Sequence, residues 1–126
     1  MPDKKILIID DEPDIVEALK MRLEIAGYGV LSAGDGLIGL EKIRSENPDL
    51  ILLDVMLPKL DGFKVCRMIK FDERFKDIPV IMLTAKAADI DKTTGGEVGA
   101  DCYLTKPFDP AKLLELIAQK LEKKKK

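Results

Sequence analysis

Side chains that could bind or accept a phosphoryl group follow four short apolar segments of this chain. They lie directly after, or within two residues of, a segment's end, and they are Asp10, Asp11, Asp54, Thr84 and Lys106. Carboxylates bind divalent cations, whereas a hydroxyl and an ammonium group bind phosphoryl oxygens. These residue types therefore predict phosphoryl chemistry, provided that the fold brings the four segment ends together.

The apolar segments have the composition of strands that are buried on both faces of a parallel sheet. Each is short, rich in Val, Ile and Leu, and separated from the next by an amphipathic stretch. The predicted strands cover about Lys5–Ile9, Gly29–Ser32, Leu50–Asp54, Val80–Leu83 and Cys102–Leu104. Because open α/β folds bind ligands at the carboxyl ends of their strands, the polar side chains are expected to converge there.

The stretches between the predicted strands have helical periodicity. The predicted helices cover about Pro13 to Gly27, Gly36–Glu46, Gly62–Phe71, Ala87–Val98 and Pro110–Glu122. The residues expected on their buried faces are Ile15, Leu19, Leu23, Leu37, Leu40, Ile43, Phe63, Cys66, Ile69, Leu113, Ile117 and Leu121. The fourth helix is the weakest prediction, because Gly95 and Gly96 each cost about 1 kcal/mol relative to alanine in a helix interior.

Five alternations of strand and helix predict an α/β fold, a doubly wound (βα)5 arrangement with a five-stranded parallel sheet. With right-handed crossovers, fold rules favour the strand order 2-1-3-4-5, which the sequence alone does not fix. Strands one and three are then neighbours, with Asp10, Asp11 and Asp54 across the point where the strand order reverses. Residues 1–126 are expected to form a single domain.

Composition excludes several classes of protein. Hydrophobic residues make up 46% and charged residues 35% of the chain, as in a soluble globular domain. No apolar stretch approaches the roughly 20 residues that span a bilayer, and the first strand begins too early to leave room for a signal peptide. A cytoplasmic protein without membrane contact is therefore expected.

Charge and residue usage narrow the possibilities further. The net charge is −2, and without the four lysines at 123–126 there are 17 basic against 23 acidic residues, which argues against direct nucleic-acid binding by this domain. The chain contains no histidine, so catalytic triads and an internal phosphohistidine are excluded. Cys66 and Cys102 are too few for a disulfide framework and are expected to be reduced core residues.

A cluster of three carboxylates needs a counter-charge. Asp10, Asp11 and Asp54 within about 5 Å of one another would repel by roughly 3 kcal/mol per pair at an effective dielectric constant near 20. Oxygen ligands without His or Cys suit Mg²⁺ (or Mn²⁺), which would leave coordination positions for phosphate oxygens. Lys106 could then pair with the phosphoryl charge, and the Thr84 hydroxyl could donate to a phosphoryl oxygen.

Each of these residues alone has an ordinary structural explanation. An Asp after a strand is commonly a turn or cap residue, and a Thr before a helix is commonly an N-cap. The specific signal is their joint order along the chain, each after its own apolar segment.

With these residues the chain resembles the receiver domains of two-component response regulators over essentially its whole length. The matching stretches are Ile8–Pro13 (IIDDEP), Asp49–Pro58 (DLILLDVMLP), Asp61-Gly62, Leu83–Lys86 (LTAK), Gly99–Asp101 (GAD) and Lys106–Phe108 (KPF). The resemblance implies a flavodoxin-like fold and a phosphorylation-dependent signalling switch rather than an enzyme, with only Mg-dependent self-phosphorylation and slow autodephosphorylation.

The resemblance also implies roles for individual residues. Asp54 is expected to accept phosphate from the phosphohistidine of a sensor histidine kinase or phosphotransfer protein. Asp11 is expected to bind the metal directly, Asp10 to act beside it or through water, and the backbone carbonyl of Met56 to be a further ligand. Thr84 and Lys106 are expected to contact the phosphoryl group.

The implied output is a conformational change on the face formed by the fourth helix, strand five and the last helix. Thr84 and Tyr103 match the pair of residues that switch, and the face would control a downstream protein or a fused effector. Cys102 and Leu116 occupy positions where dimerising receivers often carry an acid and an arginine, so a monomer or weak dimer is expected.

Three alternatives can be weighed. A phosphatase of the Asp-x-Asp type would need an acid at position 56, where the chain has Met. A flavin-binding electron carrier would need a loop that cradles phosphate after strand one, where Asp10, Asp11 and Glu12 would repel it. A receiver-like scaffold or protein-binding module that is never phosphorylated remains open.

Overall fold

The computed structural model describes residues 4–55, 57, 62–84, 102–105 and 109–124. The elements in this part of the chain are β1 (Lys5–Ile9), α1 (Pro13–Ile25), β2 (Gly29–Ala33), α2 (Gly36–Glu46), β3 (Leu50–Asp54), α3 (Gly62–Lys70), β4 (Val80–Thr84), β5 (Cys102–Thr105) and α4 (Pro110–Lys124). Their bounds agree with the predicted ones to within a few residues. The helix predicted between residues 87 and 98 lies outside the described residues.

The five strands form one sheet in the order β2-β1-β3-β4-β5, and each neighbouring pair is parallel. The predicted doubly wound order is therefore confirmed. In the register, Ile9 of β1 pairs with Leu53 of β3, and Thr84 of β4 pairs with Thr105 of β5. The residues that follow Ile9 and Leu53 consequently lie side by side at the carboxyl edge of the sheet.

Alternate residues of the strands point into two separate hydrophobic clusters, one on each face of the sheet. In β1, Ile6 and Ile8 pack with residues of α1 and α4, whereas Leu7 and Ile9 pack with residues of α2 and α3. All five residues of β3 are buried. The sheet is thus covered by helices on both faces, which explains why its central strands are continuously apolar.

The predicted inward face of α2 is wrong at one position. Leu37 is 54% exposed, whereas Leu40 and Ile43 are buried as expected. A β-carbon on Gly39 would lie 2.6 Å from Cδ1 of Ile9, so a larger residue at this position would require the Ile9 side chain to shift. Gly39 and Leu40 are thus part of the buried face of α2, whereas Leu37 lies outside it.

The outer edge of β2 carries a side-chain contact. Lys42 on α2 donates a hydrogen bond from Nζ to the Ser32 carbonyl oxygen, 2.6 Å away. The Ala33 carbonyl accepts from Asp10 N towards the neighbouring strand. Because successive residues of a strand point their backbone groups in opposite directions, the Ser32 carbonyl faces away from β1.

Within the described part of the chain, no helix combines the length and apolar character that crossing a bilayer requires.

Candidate metal centre

Two buried carboxylates stand at the carboxyl edge of the sheet. Asp54 is the last residue of β3, and Asp10 follows the last residue of β1. They are 5% and 2% exposed, respectively. Since Ile9 and Leu53 pair directly, the two strands deliver their aspartates to adjoining positions. The predicted convergence of these two residues is confirmed by the fold.

Backbone hydrogen bonds fix both strand ends. The Asp10 N–H donates to the Ala33 carbonyl at 3.1 Å, which ties the end of β1 to β2. The N–H of Val55, the residue after Asp54, donates to the Leu83 carbonyl at 2.9 Å and ties the end of β3 to β4. The two aspartates therefore project from backbone that neighbouring strands hold in place.

A third carboxylate, that of Glu12, joins this pair. Oδ1 of Asp10 accepts a hydrogen bond of 2.9 Å from Glu12 N, which bends the chain between β1 and α1. Oxygens of Asp10, Glu12 and Asp54 all lie within 4.8 Å of one another. Glu12 is the cap residue just before Pro13 begins α1, where the helix dipole favours negative charge.

The chemistry of these donors fits a hard divalent cation. All three are oxygen ligands, and two of them are buried where their mutual repulsion is poorly screened. Because the three oxygens lie within 4.8 Å of one another, a single cation could contact more than one of them. Such an ion would also retain waters or phosphate oxygens at its other positions.

Asp11 does not belong to this group of carboxylates in the described structure. Its side chain is exposed, and Glu12 takes the third place. Reasoning from the sequence missed Glu12 as a candidate, although a third consecutive acid immediately before a helix-initiating proline was available as a signal. The predicted role of Asp11 as a direct ligand stays a prediction.

Of the other residues predicted to contact the metal or the phosphoryl group, Thr84 is described in the structure. Thr84 ends β4 one strand away from Asp54, with Thr105 of β5 as its partner in the register. It therefore lies along the same edge of the sheet as the aspartates. Met56 and Lys106 lie outside the described residues, and their predicted roles stay predictions.

Tyr103, the predicted switch aromatic, lies in β5 and is half-buried against the cluster on the α2 and α3 face. Burial raises the pKa of its hydroxyl above the usual range, with a further contribution from Cys66 of α3. Cys66 is itself a buried free cysteine, as predicted. Tyr103 thus packs against the same buried cluster as Cys66.

Comparison with known proteins identifies a family that matches most of this chain. The family model for the response regulator receiver domain matches residues 6–118. The alkaline phosphatase synthesis transcriptional regulatory protein PhoP of Bacillus subtilis is 52% identical over 108 residues, which cover 86% of this chain and 44% of that protein. The DNA-binding dual master transcriptional regulator RpaA of Synechocystis is 53% identical over 110 residues, which cover 87% and 46%. The chain spans less than half the length of these two relatives.

Solved structures agree over nearly the whole chain. A CheY-like receiver domain protein from Methanospirillum hungatei has a TM-score of 0.90 and 34% identity, covering 98% of this chain and 97% of that one. The receiver domain of a sensor histidine kinase from Pseudomonas aeruginosa has a TM-score of 0.87 and 31% identity, covering 95% and 98%. That structure has a magnesium ion coordinated in its active site cleft.

Proposed function

The chain belongs to the response regulator receiver domains of two-component signal transduction, which act in signalling as phosphorylation-dependent switches, and from this premise we propose that Asp54 is its phosphoacceptor. The observation that carries the proposal is the buried Asp54 carboxylate at the carboxyl edge of the sheet, with oxygens of Asp10 and Glu12 within 4.8 Å. This is the arrangement that a metal-assisted carboxylate nucleophile requires.

The proposed reaction forms a bond between an Asp54 carboxylate oxygen and phosphorus. The bond between phosphorus and a histidine nitrogen of the partner kinase or phosphotransfer protein breaks, and its electron pair leaves with the imidazole. A bound Mg²⁺ (or Mn²⁺) would supply neutralisation of charge on the phosphoryl oxygens. The chain itself contributes the nucleophile and the fixed backbone on which it stands.

We propose that the metal is held by Asp10, Asp11, Asp54 and the backbone carbonyl of Met56. The buried positions of Asp10 and Asp54 support their part in this set. Glu12 would add negative charge beside such an ion, whereas the part assigned to Asp11 follows from the family resemblance. Thr84 would donate to a phosphoryl oxygen, and Lys106 would pair with its charge, as charge-assisted contacts that exist only after transfer.

The proposed output is a shift between two conformations. Phosphorylation would draw Thr84 towards the new phosphoryl group and favour an inward position of Tyr103. Moving such an equilibrium from 1:99 to 99:1 requires about 5.5 kcal/mol of differential interaction, which a few charge-assisted hydrogen bonds can provide. The face that includes β5 and α4 would carry the change to a partner.

The proposed partners are a sensor histidine kinase on the input side and a downstream protein or fused effector on the output side. The two relatives named above are transcriptional regulators, and RpaA is named as DNA-binding. Since this chain corresponds to less than half of either, DNA binding would belong to an effector and not to the domain described here.

Acetyl phosphate tests the proposal without knowledge of the cognate kinase. The purified chain is incubated with acetyl phosphate and Mg²⁺, and intact mass spectrometry measures incorporation of phosphate. We expect one phosphoryl group per chain, and none when EDTA replaces Mg²⁺. Failure to incorporate phosphate from acetyl phosphate and from several histidine kinases would support the scaffold alternative.

A pair of variants tests whether Asp11 or Glu12 binds the metal together with Asp10 and Asp54. We expect Asp11→Asn to weaken Mg²⁺ binding by about tenfold or more, because a direct ligand is lost. Glu12→Gln is expected to weaken it by only a few-fold, because loss of a charge across partly hydrated space is worth about 1 kcal/mol. Isothermal titration with MgCl₂ measures both, and the reverse ranking would make Glu12 the ligand.

A further inference from the structure

The backbone that carries Asp54 is in close contact with the first residue of α3. A β-carbon built on Gly62 would overlap the Asp54 carbonyl oxygen, and it would lie 2.8 Å from Cα of Val55 and 3.0 Å from the Asp54 carbonyl carbon. All three atoms belong to the main chain, which cannot rotate aside as a side chain can. Position 62 therefore has no room for a side chain while β3 keeps its present course.

The restriction on Gly62 is one of space. Among described glycines, only Gly27 has a positive φ, so an alanine at 62 could adopt the backbone angles without strain. Alanine also has a higher helix propensity than glycine, and position 62 begins a helix. A functional loss in Gly62→Ala would therefore report the displaced β3 end and not a weakened α3.

Gly62 also forms a hydrogen bond with the backbone of Val55, the residue that follows Asp54. Its N–H donates to the Val55 carbonyl at 3.0 Å, while the Val55 N–H donates to the Leu83 carbonyl at 2.9 Å. Both backbone groups of the residue after Asp54 are thus occupied, one by β4 and one by α3. The end of β3 is held between these two elements.

We infer that Gly62 is a positioning residue for phosphoryl transfer, because its missing β-carbon lets α3 press against the Asp54–Val55 backbone and fix where the Asp54 carboxylate stands. This inference rests on the proposed function of Asp54. Phosphoryl transfer demands that the attacking oxygen, the phosphorus and the leaving group line up, and a misplacement of about 1 Å can cost about a hundredfold in rate. The residue touches no phosphate itself and acts through the placement of Asp54.

Gly62→Ala provides the test, with Ile69→Ala as the matched control. Ile69 is a buried residue on the same helix, and its truncation destabilises α3 without touching the backbone of Asp54. At saturating acetyl phosphate and Mg²⁺, we expect Gly62→Ala to incorporate phosphate about 10- to 100-fold more slowly. We also expect weaker Mg²⁺ binding. The folded Ile69→Ala protein should keep the wild-type rate and the wild-type Mg²⁺ affinity.

The outcomes separate this inference from the function on which it rests. Wild-type protein that takes no phosphate contradicts the proposed function. Wild-type protein that is phosphorylated, together with Gly62→Ala that reacts and binds Mg²⁺ equally well, overturns only the role of Gly62. Equal losses in Gly62→Ala and Ile69→Ala would overturn it as well, since they would reflect helix stability alone.

Hydrogen exchange in the wild-type protein keeps the inference testable if Gly62→Ala does not fold. Beryllofluoride with Mg²⁺ serves as the probe in place of a phosphoryl group. If Gly62 holds the Asp54 backbone, protection of the Gly62 amide against exchange should rise about tenfold on addition of the probe. Protection of the Ala26 amide, at the end of α1, should not change. An unchanged Gly62 amide would count against the inference.

Discussion

Replacing Asp54 with asparagine should abolish the transfer of phosphate to this chain. The amide retains the shape of the side chain and can remain in the buried position, but it lacks the carboxylate oxygen that attacks phosphorus. Loss of a nucleophile reduces reaction rates by orders of magnitude, so we expect incorporation to fall by more than about a thousandfold. Intact mass spectrometry after incubation with acetyl phosphate and Mg²⁺ measures the effect.

Asp49→Asn is the matched control for this variant. Asp49 lies just before the other end of β3, and its Oδ2 accepts a hydrogen bond of 2.8 Å from Lys5 N. The substitution removes the same charge from the chain, but at the opposite edge of the sheet, and it should leave incorporation unchanged. Phosphate that still enters Asp54→Asn at the wild-type rate would place the acceptor elsewhere.

Asp10→Asn should stabilise the protein in the absence of a divalent ion and lose much of this advantage when Mg²⁺ is supplied. Without a divalent ion, the substitution removes repulsion between Asp10 and two carboxylates that lie within 4.8 Å, while the asparagine oxygen can still accept from Glu12 N. We expect the free energy of unfolding to rise by about 1–3 kcal/mol. With Mg²⁺ at a hundred times its dissociation constant, the wild-type protein should gain about 2.7 kcal/mol and the variant less.

Urea denaturation followed by circular dichroism, in EDTA and in MgCl₂, measures the change in this stability difference. Asp35→Asn is the control, because Asp35 is also a buried carboxyl group but it caps α2 by accepting from Ile38 N. Its stability change should be the same in both buffers. If Asp10→Asn destabilises the protein equally with and without Mg²⁺, the carboxylates do not form a metal centre.

The strands could be predicted closely because their physical signal is strong and local. Continuous apolar segments such as Leu50–Leu53 have few alternatives in a chain of this length, and the following polar residues mark where each strand ends. The handedness of crossovers, which depends on chain chirality, restricts the possible strand orders without fixing one, and the family resemblance supports the order 2-1-3-4-5. The proximity of Asp10 and Asp54 could therefore be predicted from fold rules and from the family resemblance together, since the sequence alone does not fix the strand order.

Details that depend on contacts between elements could not be predicted in this way. The exposure of Leu37 depends on how α2 packs against the sheet, and periodicity within one helix contains no such information. The presence of Glu12 beside Asp54 depends on a bend that Asp10 stabilises through a backbone hydrogen bond. The contact between Gly62 and the Asp54 backbone joins residues eight positions apart, across a segment without regular periodicity.

The hydrogen bond from Lys42 to Ser32 has a consequence for how this protein behaves at high concentration. An exposed strand edge is a template on which another chain can add a strand and start aggregation. Here the Lys42 ammonium group donates to the Ser32 carbonyl oxygen, an acceptor that an added strand would need. The same group carries a positive charge that would be costly to desolvate under an added strand. Lys42→Met, which removes both protections, should therefore make the protein aggregate more readily through β2.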